Sequence, residues 1–332
     1  MSLRPTRLSA KLLLPFATAL FCAAQALAQP QPYPNQPIRL VIGYAAGGTT
    51  DILARSLAEQ LSKTLGQSVI VENKAGAAGN LAAAYVSQAK PDGYVLFMAT
   101  LASHGINPAL YKTGLGYDPV KSFEPISMVA AIPMLLVVNP KLPVNSVPEL
   151  IAYAKQKPGQ LNYASSGNGS PVHLSGAIFA DAAKIDVVHI PYRGGAIANT
   201  SVMSGDTQYT FASMPAAMPQ VQAGKLRALA VTTKERSPLL PNTPSVEEAG
   251  GLPGYDINTW DALLAPKGTA PAVIAKLNAA VIQALQSSAL AKRFESEGAV
   301  PDTSTPEALA AFIDAELLKW AAVVARTPIK VD

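Results

Sequence analysis

The sequence predicts an α/β protein of two lobes, each a mostly parallel sheet flanked by helices, with the second lobe inserted into the first. Apolar runs of strand length alternate with helix-length segments over residues 38–99, and the alternation starts again at residue 147. Such continuous apolar strands are typical of parallel sheets that are covered by helices on both faces. An apolar stretch at 125–138 joins the two alternating regions.

The tail of the chain fixes the expected domain boundaries. After a Gly- and Pro-rich cluster at 250–255, the tail holds one short strand and three helices, which is too few strands for a separate domain. We therefore expect the tail to pack back on the first lobe. This places lobe 1 at residues 29–130 plus 256–332 and lobe 2 at residues 131–255.

Residues 1–28 have the pattern of a secretory signal peptide. Three basic residues precede an apolar run at 12–24, and Ala26-Leu27-Ala28 then supplies a cleavage site. The apolar run is shorter than the roughly 20 residues that a transmembrane helix needs. We expect secretion through the inner membrane into the periplasm, with cleavage after Ala28.

The composition of the remaining 304 residues (332 − 28) argues against several functions. Lys plus Arg fall from 26 to 23 against 22 Asp plus Glu, so a nucleic-acid partner is not expected. Cys22 is the only cysteine and lies in the removed segment, so stability has to come from a large core without disulfides. With three histidines and no cysteine, we expect no metal site, and the absence of nucleotide-binding glycine motifs argues against a nucleotide cofactor.

The first strand, at residues 38–43, leads through a turn of small residues into a helix expected at 50–65. Gly47 and Gly48 permit a tight turn, and Thr49 or Thr50 can cap the helix. Free N–H groups at a helix N-terminus can hold an anion without a lysine or arginine. The turn, with Tyr44 at its start, is therefore one half of a candidate carboxylate site, or else a corner that serves only the fold.

Asp51 lies in the first turn of that helix, where a carboxylate suits the helix dipole. Two interpretations are open for this residue. It stabilises the helix N-terminus, or it contacts an amine or hydroxyl of a ligand.

The other elements follow from apolar periodicity and turn residues. In the first lobe and the tail we expect strands at 68–72, 94–99 and 260–265, and helices at 81–89, 271–286, 289–297 and 305–325. In the second lobe we expect helices at 147–157, 172–183 and 195–203, and strands at 161–164, 187–191, 207–211 and 226–232.

A second strand–turn–helix junction at 165–170 resembles the first. It contributes the candidate ligand residues Ser165, Ser166, Gly167, Asn168, Gly169 and Ser170. Ligands of open α/β sheets bind at the carboxyl ends of the strands, where both turns are expected. Two such turns facing each other across a cleft could clamp an acid through N–H groups and hydroxyls.

Catalytic motifs are sparse. His189 lies in an apolar strand and fits the core, whereas His173 either contacts a ligand or caps the second loop. His104 and its neighbour Ser103 follow the third strand, at the same sheet edge, and Ser103 joins the candidate site. Arg193 could bind a carboxylate in bidentate fashion or hydrogen-bond to nearby carbonyls.

The chain resembles the Bug family, the periplasmic receptors of tripartite tricarboxylate transporters, over essentially all of its mature length. The motifs that carry the resemblance occur in family order along the chain. They are Ala46-Gly47-Gly48-Thr49-Thr50-Asp51, Val71-Glu72-Asn73-Lys74-Ala75-Gly76, Pro91-Asp92-Gly93-Tyr94, Asn107-Pro108-Ala109-Leu110-Tyr111, Pro191-Tyr192-Arg193-Gly194-Gly195, Ala223-Gly224-Lys225-Leu226-Arg227 and Ala265-Pro266-Lys267-Gly268-Thr269.

The resemblance implies a Venus-flytrap periplasmic binding protein without catalytic residues. It would deliver a small carboxylate, such as a dicarboxylate, tricarboxylate or aromatic acid, to a membrane permease of one large and one small subunit. Family members hold the ligand at the positions that are 44–51 and 165–170 here. We expect a monomer.

Two departures from the family bear on the ligand. The chain has Asn199-Thr200-Ser201 and Ala212-Ser213 where family members often carry acidic or amide side chains. Fewer acids argue against an amino-acid ligand and favour a plain mono- or dicarboxylate. Two other functions stay open: a solute sensor for a signalling partner, and a periplasmic enzyme that uses His173 or His104 with Ser166 or Ser170.

Overall fold

The computed structural model describes residues 33–111 and 113–326. The predicted signal peptide, residues 1–28, lies outside the described residues. Residues Met1–Asn35 form one unit, of which only 33–35 are described, and Gln36–Asp332 form a second, compact unit. All helices and strands described belong to this second unit.

The described residues form eleven strands and eleven α-helices, with a 3₁₀ turn at Ala77–Gly79 and a π-helical turn at Ala102–Ile106. In chain order the elements are β1 (Ile38–Ile42), α1 (Thr49–Leu65), β2 (Val69–Asn73), α2 (Asn80–Ser87), β3 (Val95–Thr100), α3 (Asn107–Leu110), β4 (Phe123–Ile132), β5 (Met134–Val138), α4 (Val147–Gln156), β6 (Asn162–Ser165), α5 (Pro171–Ala183), β7 (Val188–Pro191), α6 (Gly195–Ser204), β8 (Tyr209–Ser213), α7 (Met214–Gln222), β9 (Arg227–Val231), α8 (Val246–Gly250), β10 (Thr259–Pro266), α9 (Pro271–Leu285), α10 (Ser288–Glu297), β11 (Val300–Pro301) and α11 (Pro306–Arg326).

The first sheet has six strands in the order β11-β4-β10-β3-β1-β2. β1 pairs in parallel with β2 and β3, and β10 pairs antiparallel with both β3 and β4. Four strands, β1 to β4, therefore run in one direction and end at the same edge. β10 runs the opposite way, so its first residues lie at that edge too.

The second sheet has five strands in the order β7-β6-β8-β5-β9. β6 pairs in parallel with β7 and β8, and β5 pairs antiparallel with β8 and β9. Four of its strands again share one direction, and β5 begins at the edge where they end. Two such sheets flanked by helices confirm the predicted two-lobe α/β class.

All five residues of β5 are buried. Leu135 and Val137 contribute to one apolar cluster, whereas Leu136 and Val138 contribute to another. Because successive strand residues point to opposite faces, helices cover both faces of this sheet.

The chain passes from the first sheet to the second at Pro133, between β4 and β5, and returns between β9 and β10. Thr232 joins the two crossings: its Oγ1 donates to the Ile257 carbonyl at 2.7 Å and accepts from the Met134 N–H at 3.2 Å. We propose Pro133 and the segment 232–258 as the lobe boundaries, close to those expected from the sequence.

The helix α1 shows how local sequence sets an element. Leu53, Leu57 and Leu61 recur at four-residue spacing and are fully buried. Gly66 ends the helix in a left-handed conformation (φ 68°), from which its N–H reaches the Ser62 carbonyl.

The helix α7 was not foreseen, because Pro215 and Pro219 interrupt its pattern. Within the described part of the chain, no single helix is long and apolar enough to cross a membrane; α9 and α10 meet that test only as a pair bent by 69°.

Candidate functional site

A cleft lies where the carboxyl edges of the two sheets face each other. The first lobe contributes the β1–α1 loop, the ends of β3 and β4 and the start of β10. The second contributes the start of β5, the end of β8 and the first turns of α5 and α6. The cleft has a volume of about 70 Å³, on a measure by which one water molecule needs roughly 10–15 Å³. It therefore fits a small molecule.

Three helices begin at this cleft without a side-chain cap. Their N-cap residues are Gly48 for α1, Gly194 for α6 and Ser213 for α7, and no side chain accepts a hydrogen bond at any of them. The first N–H groups of a helix have no intrahelical acceptor. In α7 the Met214 N–H donates to the Pro133 carbonyl at 2.9 Å and Pro215 has no N–H, so the unpaired donors at the cleft come from the first turns of α1 and α6.

The two lobes touch across the cleft at the start of α1. The Thr49 hydroxyl and the Ser213 hydroxyl form a hydrogen bond, with either oxygen as the donor. A Cβ placed on Gly194 would lie 3.7 Å from Cβ of Ala45, so the backbones also approach closely there. These contacts describe a closed arrangement of the lobes.

Among the described residues that line the cleft, Asp261 is the single acidic residue, and none is Lys, Arg or His. It is 1% exposed, and the Thr50 hydroxyl donates to its Oδ1 at 3.5 Å. Its Oδ2 has no hydrogen-bond partner among the described residues. Burial raises the pKa of Asp261 to about 7, and the Thr50 hydrogen bond offsets only part of that rise.

Thr100 pairs with Asp261 across β3 and β10 and also lines the cleft. Its buried Oγ1 likewise finds no partner in the described part of the chain. Tyr44 donates to the Ala78 carbonyl at 3.3 Å, and burial raises the pKa of its hydroxyl, so the tyrosine stays neutral. The floor of the cleft thus presents two polar atoms, Asp261 Oδ2 and Thr100 Oγ1, without a hydrogen-bond partner among the described residues.

Of the residues proposed from the sequence, five line the cleft: Tyr44, Gly48, Thr49, Thr50 and Ser166. The others do not line the cleft.

Gly47 and Asp51 are hydrogen-bonded to each other at the start of α1. The Gly47 N–H donates to Asp51 Oδ2 at 3.0 Å, Asn73 Nδ2 donates to Oδ1 at 2.9 Å, and Arg55 pairs with both oxygens. Burial opposes ionisation, but the hydrogen bonds from Arg55, Gly47 and Asn73 hold the pKa of Asp51 below its ordinary value. The geometry favours the helix-stabilising interpretation of this carboxylate.

The loop 165–170 is mostly occupied by its own contacts. The Ser165 hydroxyl bonds to His189 Nε2 at 2.6 Å, and Ser170 caps α5 by accepting from the His173 N–H. A Cβ on Gly169 would lie 2.4 Å from Asn107 Oδ1, so this glycine permits a close approach between the lobes. Gly167 and Asn168 line a second cavity together with Arg193.

The histidines do not line the cleft. The ring of His173 stacks on that of His189 at 3.9 Å, and its Nδ1 accepts from the Gly169 N–H at 3.2 Å. His104 Nδ1 and the Ser103 hydroxyl are 3.0 Å apart in the core of the first lobe. Burial lowers the pKa of His104 to about 3 and that of His173 to about 4.

Arg193 is exposed, outside the cleft. Within the described ranges, no group of three or more His, Cys, Asp or Glu residues is placed to hold a metal ion.

Sequence reasoning missed the first turn of α6, Ser213, Thr100 and Asp261. The Gly194-Gly195 pair was a usable signal for the first of these, since it resembles Gly47-Gly48. For Asp261 the signal was a carboxylate inside an otherwise apolar strand, Thr259–Pro266.

The chain is similar to known proteins over most of its length. Residues 53–328 match the model of the tripartite tricarboxylate transporter family receptor. Protein BugT of Bordetella pertussis is 35% identical over 314 residues, which cover 94% of this chain and 96% of BugT.

Two solved structures are similar to most of the chain. An R. palustris protein with adipate is 37% identical with a TM-score of 0.86, covering 88% of this chain and 97% of that one. MatC from Rhodopseudomonas palustris with bound malate is 34% identical with a TM-score of 0.83, covering 88% and 100%. The resemblance inferred from sequence is confirmed, and the chain belongs to the tripartite tricarboxylate transporter receptor family.

Proposed function

We propose that this protein is a periplasmic receptor that captures a small organic carboxylate in the cleft and delivers it to a tripartite tricarboxylate transporter permease. The observation that carries the proposal is the meeting of two uncapped helix N-termini with free N–H groups, that of α1 from one lobe and that of α6 from the other, in one cleft. The adipate and malate bound by two relatives support the same class of ligand.

The physical basis is anion binding by backbone groups. A carboxylate between α1 and α6 accepts N–H hydrogen bonds from both lobes, and each helix dipole adds a favourable interaction. Since Lys, Arg and His are absent from the described lining, these donors are the main partners for a negative charge. Contacts from both lobes also make ligand binding favour the closed form.

The receptor role is proposed without a catalytic step. No hydrogen bond among the described residues joins the imidazole of His173 to Ser166 or Ser170, as an activated serine nucleophile requires. Periplasmic location rests on the signal pattern at residues 1–28 together with the family. A monomer and a two-subunit permease partner are likewise part of the proposal.

A melting-temperature screen of the purified mature protein against organic acids tests the ligand class. A ligand that binds the folded state adds RT ln(1 + [L]/Kd) to stability, about 2.7 kcal/mol at 100 times Kd. We expect di-, tri- or aromatic carboxylates to raise the melting temperature and sugars or cationic amines not to. Stabilisation by those other solutes alone would contradict the proposal.

A pair of matched variants tests the location. Gly48→Val places a branched side chain at the cleft beside the first turn of α1, whereas Ala46→Val makes the same kind of change at an exposed position outside the cleft. We expect the first to weaken acid binding strongly and the second to leave it unchanged. Equal affinities in two folded variants would refute the site.

Delivery is tested in cells. Uptake of the labelled acid should require both this receptor and its permease, and Gly48→Val should reduce it. If uptake is unaffected by deletion of the receptor while a transcriptional response to the acid is lost, the protein is a sensor.

A further inference from the structure

The least expected feature of the cleft is a buried carboxylic acid at its floor. Asp261 lies on β10, which runs antiparallel to β3 and β4 in the first sheet, and is 1% exposed. A site that holds anions through N–H groups gains nothing from a second negative charge, because like charges in a desolvated site repel. We therefore ask how Asp261 affects the choice of ligand.

The described residues donate a hydrogen bond to only one of the two carboxylate oxygens of Asp261. Thr50 reaches Oδ1 at the long distance of 3.5 Å, and Oδ2 has no partner among the described residues. A buried polar atom that is left without a hydrogen bond destabilises the fold. The neighbouring Thr100 hydroxyl is also buried, lines the same cleft and has no hydrogen-bond partner among the described residues.

No charged side chain in the described lining of the cleft compensates the buried carboxylate of Asp261. The described lining contains no Lys, Arg or His that could pair with it. The other titratable group near it is Tyr44, whose pKa burial raises, so it stays neutral. A carboxylate accepts hydrogen bonds and donates none, and the missing partner is therefore a donor.

We propose that Asp261 selects ligands that carry a hydrogen-bond donor, a hydroxyl or an ammonium group, close to the carboxylate held by the helix N-termini. This inference rests on the proposed function, since it assigns a second contact to the same ligand. Thr50 links the two contacts: it lies in the first turn of α1 and its hydroxyl bonds to Asp261. The substrate class narrows to hydroxy acids and amino acids, against the plain acids that the sequence favoured.

The test compares acids that differ in one substituent. Succinate, malate and aspartate share four carbons and two carboxylates, and glutarate, 2-hydroxyglutarate and glutamate form the matching five-carbon set. Dissociation constants are measured by calorimetry on protein freed of carried-over ligand. We expect a substituted acid to bind at least about 10-fold more tightly than its plain counterpart, as for a hydrogen bond to a charged group.

Two variants separate the sources of the donor. Asp261→Asn keeps a carbonyl acceptor without charge, so a preference for the hydroxyl acid should persist and a preference for the amino acid should be lost. Asp261→Leu should abolish either preference. In both variants the quantity compared is the ratio of the affinity for the substituted acid to that for the plain acid, and a lost preference brings the two affinities together.

The wild-type protein alone can overturn the inference, so folding of the variants does not decide it. Equal affinities for plain and substituted acids would refute it. So would tightest binding of succinate or glutarate with an affinity that falls as the pH rises above about 7, because Asp261 would then be the donor. If none of these acids, nor adipate or benzoate, binds at all, the proposed function fails instead.

Discussion

The hydrogen bond between Thr49 and Ser213 links the lobes directly across the cleft, and a double-mutant cycle can measure it. Both hydroxyls are partly exposed, so water replaces the lost partner when the lobes open. The net contribution of such a bond is about 0.5–1.5 kcal/mol. It stabilises the closed form and is absent from the open one.

Thr49→Val keeps the shape of the side chain and removes the hydroxyl, and Ser213→Ala does the same on the other lobe. Because ligand affinity scales with the population of the closed form, each change should weaken binding by about 2- to 12-fold. The double variant should be no weaker than either single one, giving a coupling energy of about 0.5–1.5 kcal/mol. Thr200→Val, on an exposed face of α6, is the matched control and should change nothing.

The assay is calorimetry with the tightest acid from the screen, together with small-angle scattering of the ligand-free variants, which should become less compact. If the two single effects add in the double variant, the hydroxyls do not act on each other. If only Thr49→Val weakens binding, its hydroxyl contacts the ligand and the interlobe explanation is wrong.

Three further predictions concern the fold and its pH dependence. The pKa of Asp261 is raised to about 7 from 3.8, so between these pH values the folded state holds a proton that the unfolded state has released. As the pH rises from about 4 to 7, the free energy of unfolding of the ligand-free wild type should therefore fall by about 1.4 kcal/mol per pH unit relative to that of Asp261→Asn. Urea titration of both proteins measures this difference. Both indoles, of Trp260 and Trp320, donate to Glu316 Oε2 at 2.9 and 3.1 Å, so Glu316→Leu should cost about 2–4 kcal/mol and Glu316→Gln less; unfolding followed by tryptophan fluorescence checks this, and equal stabilities would contradict it. A Cβ on Gly176 would lie 2.2 Å from the Tyr163 ring, so Gly176→Ala should lower the free energy of unfolding by about 1–3 kcal/mol and with it the melting temperature. A Cβ on Gly195 would meet open space, so the control Gly195→Ala should leave the melting temperature unchanged.

Local sequence was sufficient for most of the fold. The i, i+4 leucines of α1 and the apolar runs of β1 and β3 specify their elements without help from distant residues. The crossing near 133 was also visible, as a long apolar stretch. Helix α7 was not, since its prolines erase the helical pattern while tertiary packing keeps the helix in place.

The site was harder to predict because its two halves depend on strand order and direction. Gly194 lies at the cleft because α6 packs against β6 and β8 in the middle of the second sheet, and no local pattern states that order. Asp261 reaches the cleft only because β10 runs antiparallel to β3, which brings the start of the strand to the carboxyl edge. The loop 165–170 was predicted from the same local pattern as the turn before α1. The Ser165 hydroxyl is hydrogen-bonded to His189 and Ser170 caps α5, so of this loop Ser166 alone lines the cleft among the described residues.

The position of Asp261 relative to the lobe crossings separates two stages of recognition. Asp261, Thr100 and Thr50 all belong to the first lobe, so they face a ligand whether the lobes are open or closed. The Gly194 turn and Ser213 belong to the second lobe and reach the ligand only on closure. Because a ligand shifts a conformational equilibrium only by its differential affinity for the two states, contacts with the floor raise affinity in both states, and contacts with α6 drive closure. The ligand substituent that hydrogen-bonds to Asp261 therefore determines which acid binds to the open cleft. The carboxylate of the ligand, through its contacts with α6, determines how strongly binding favours the closed form.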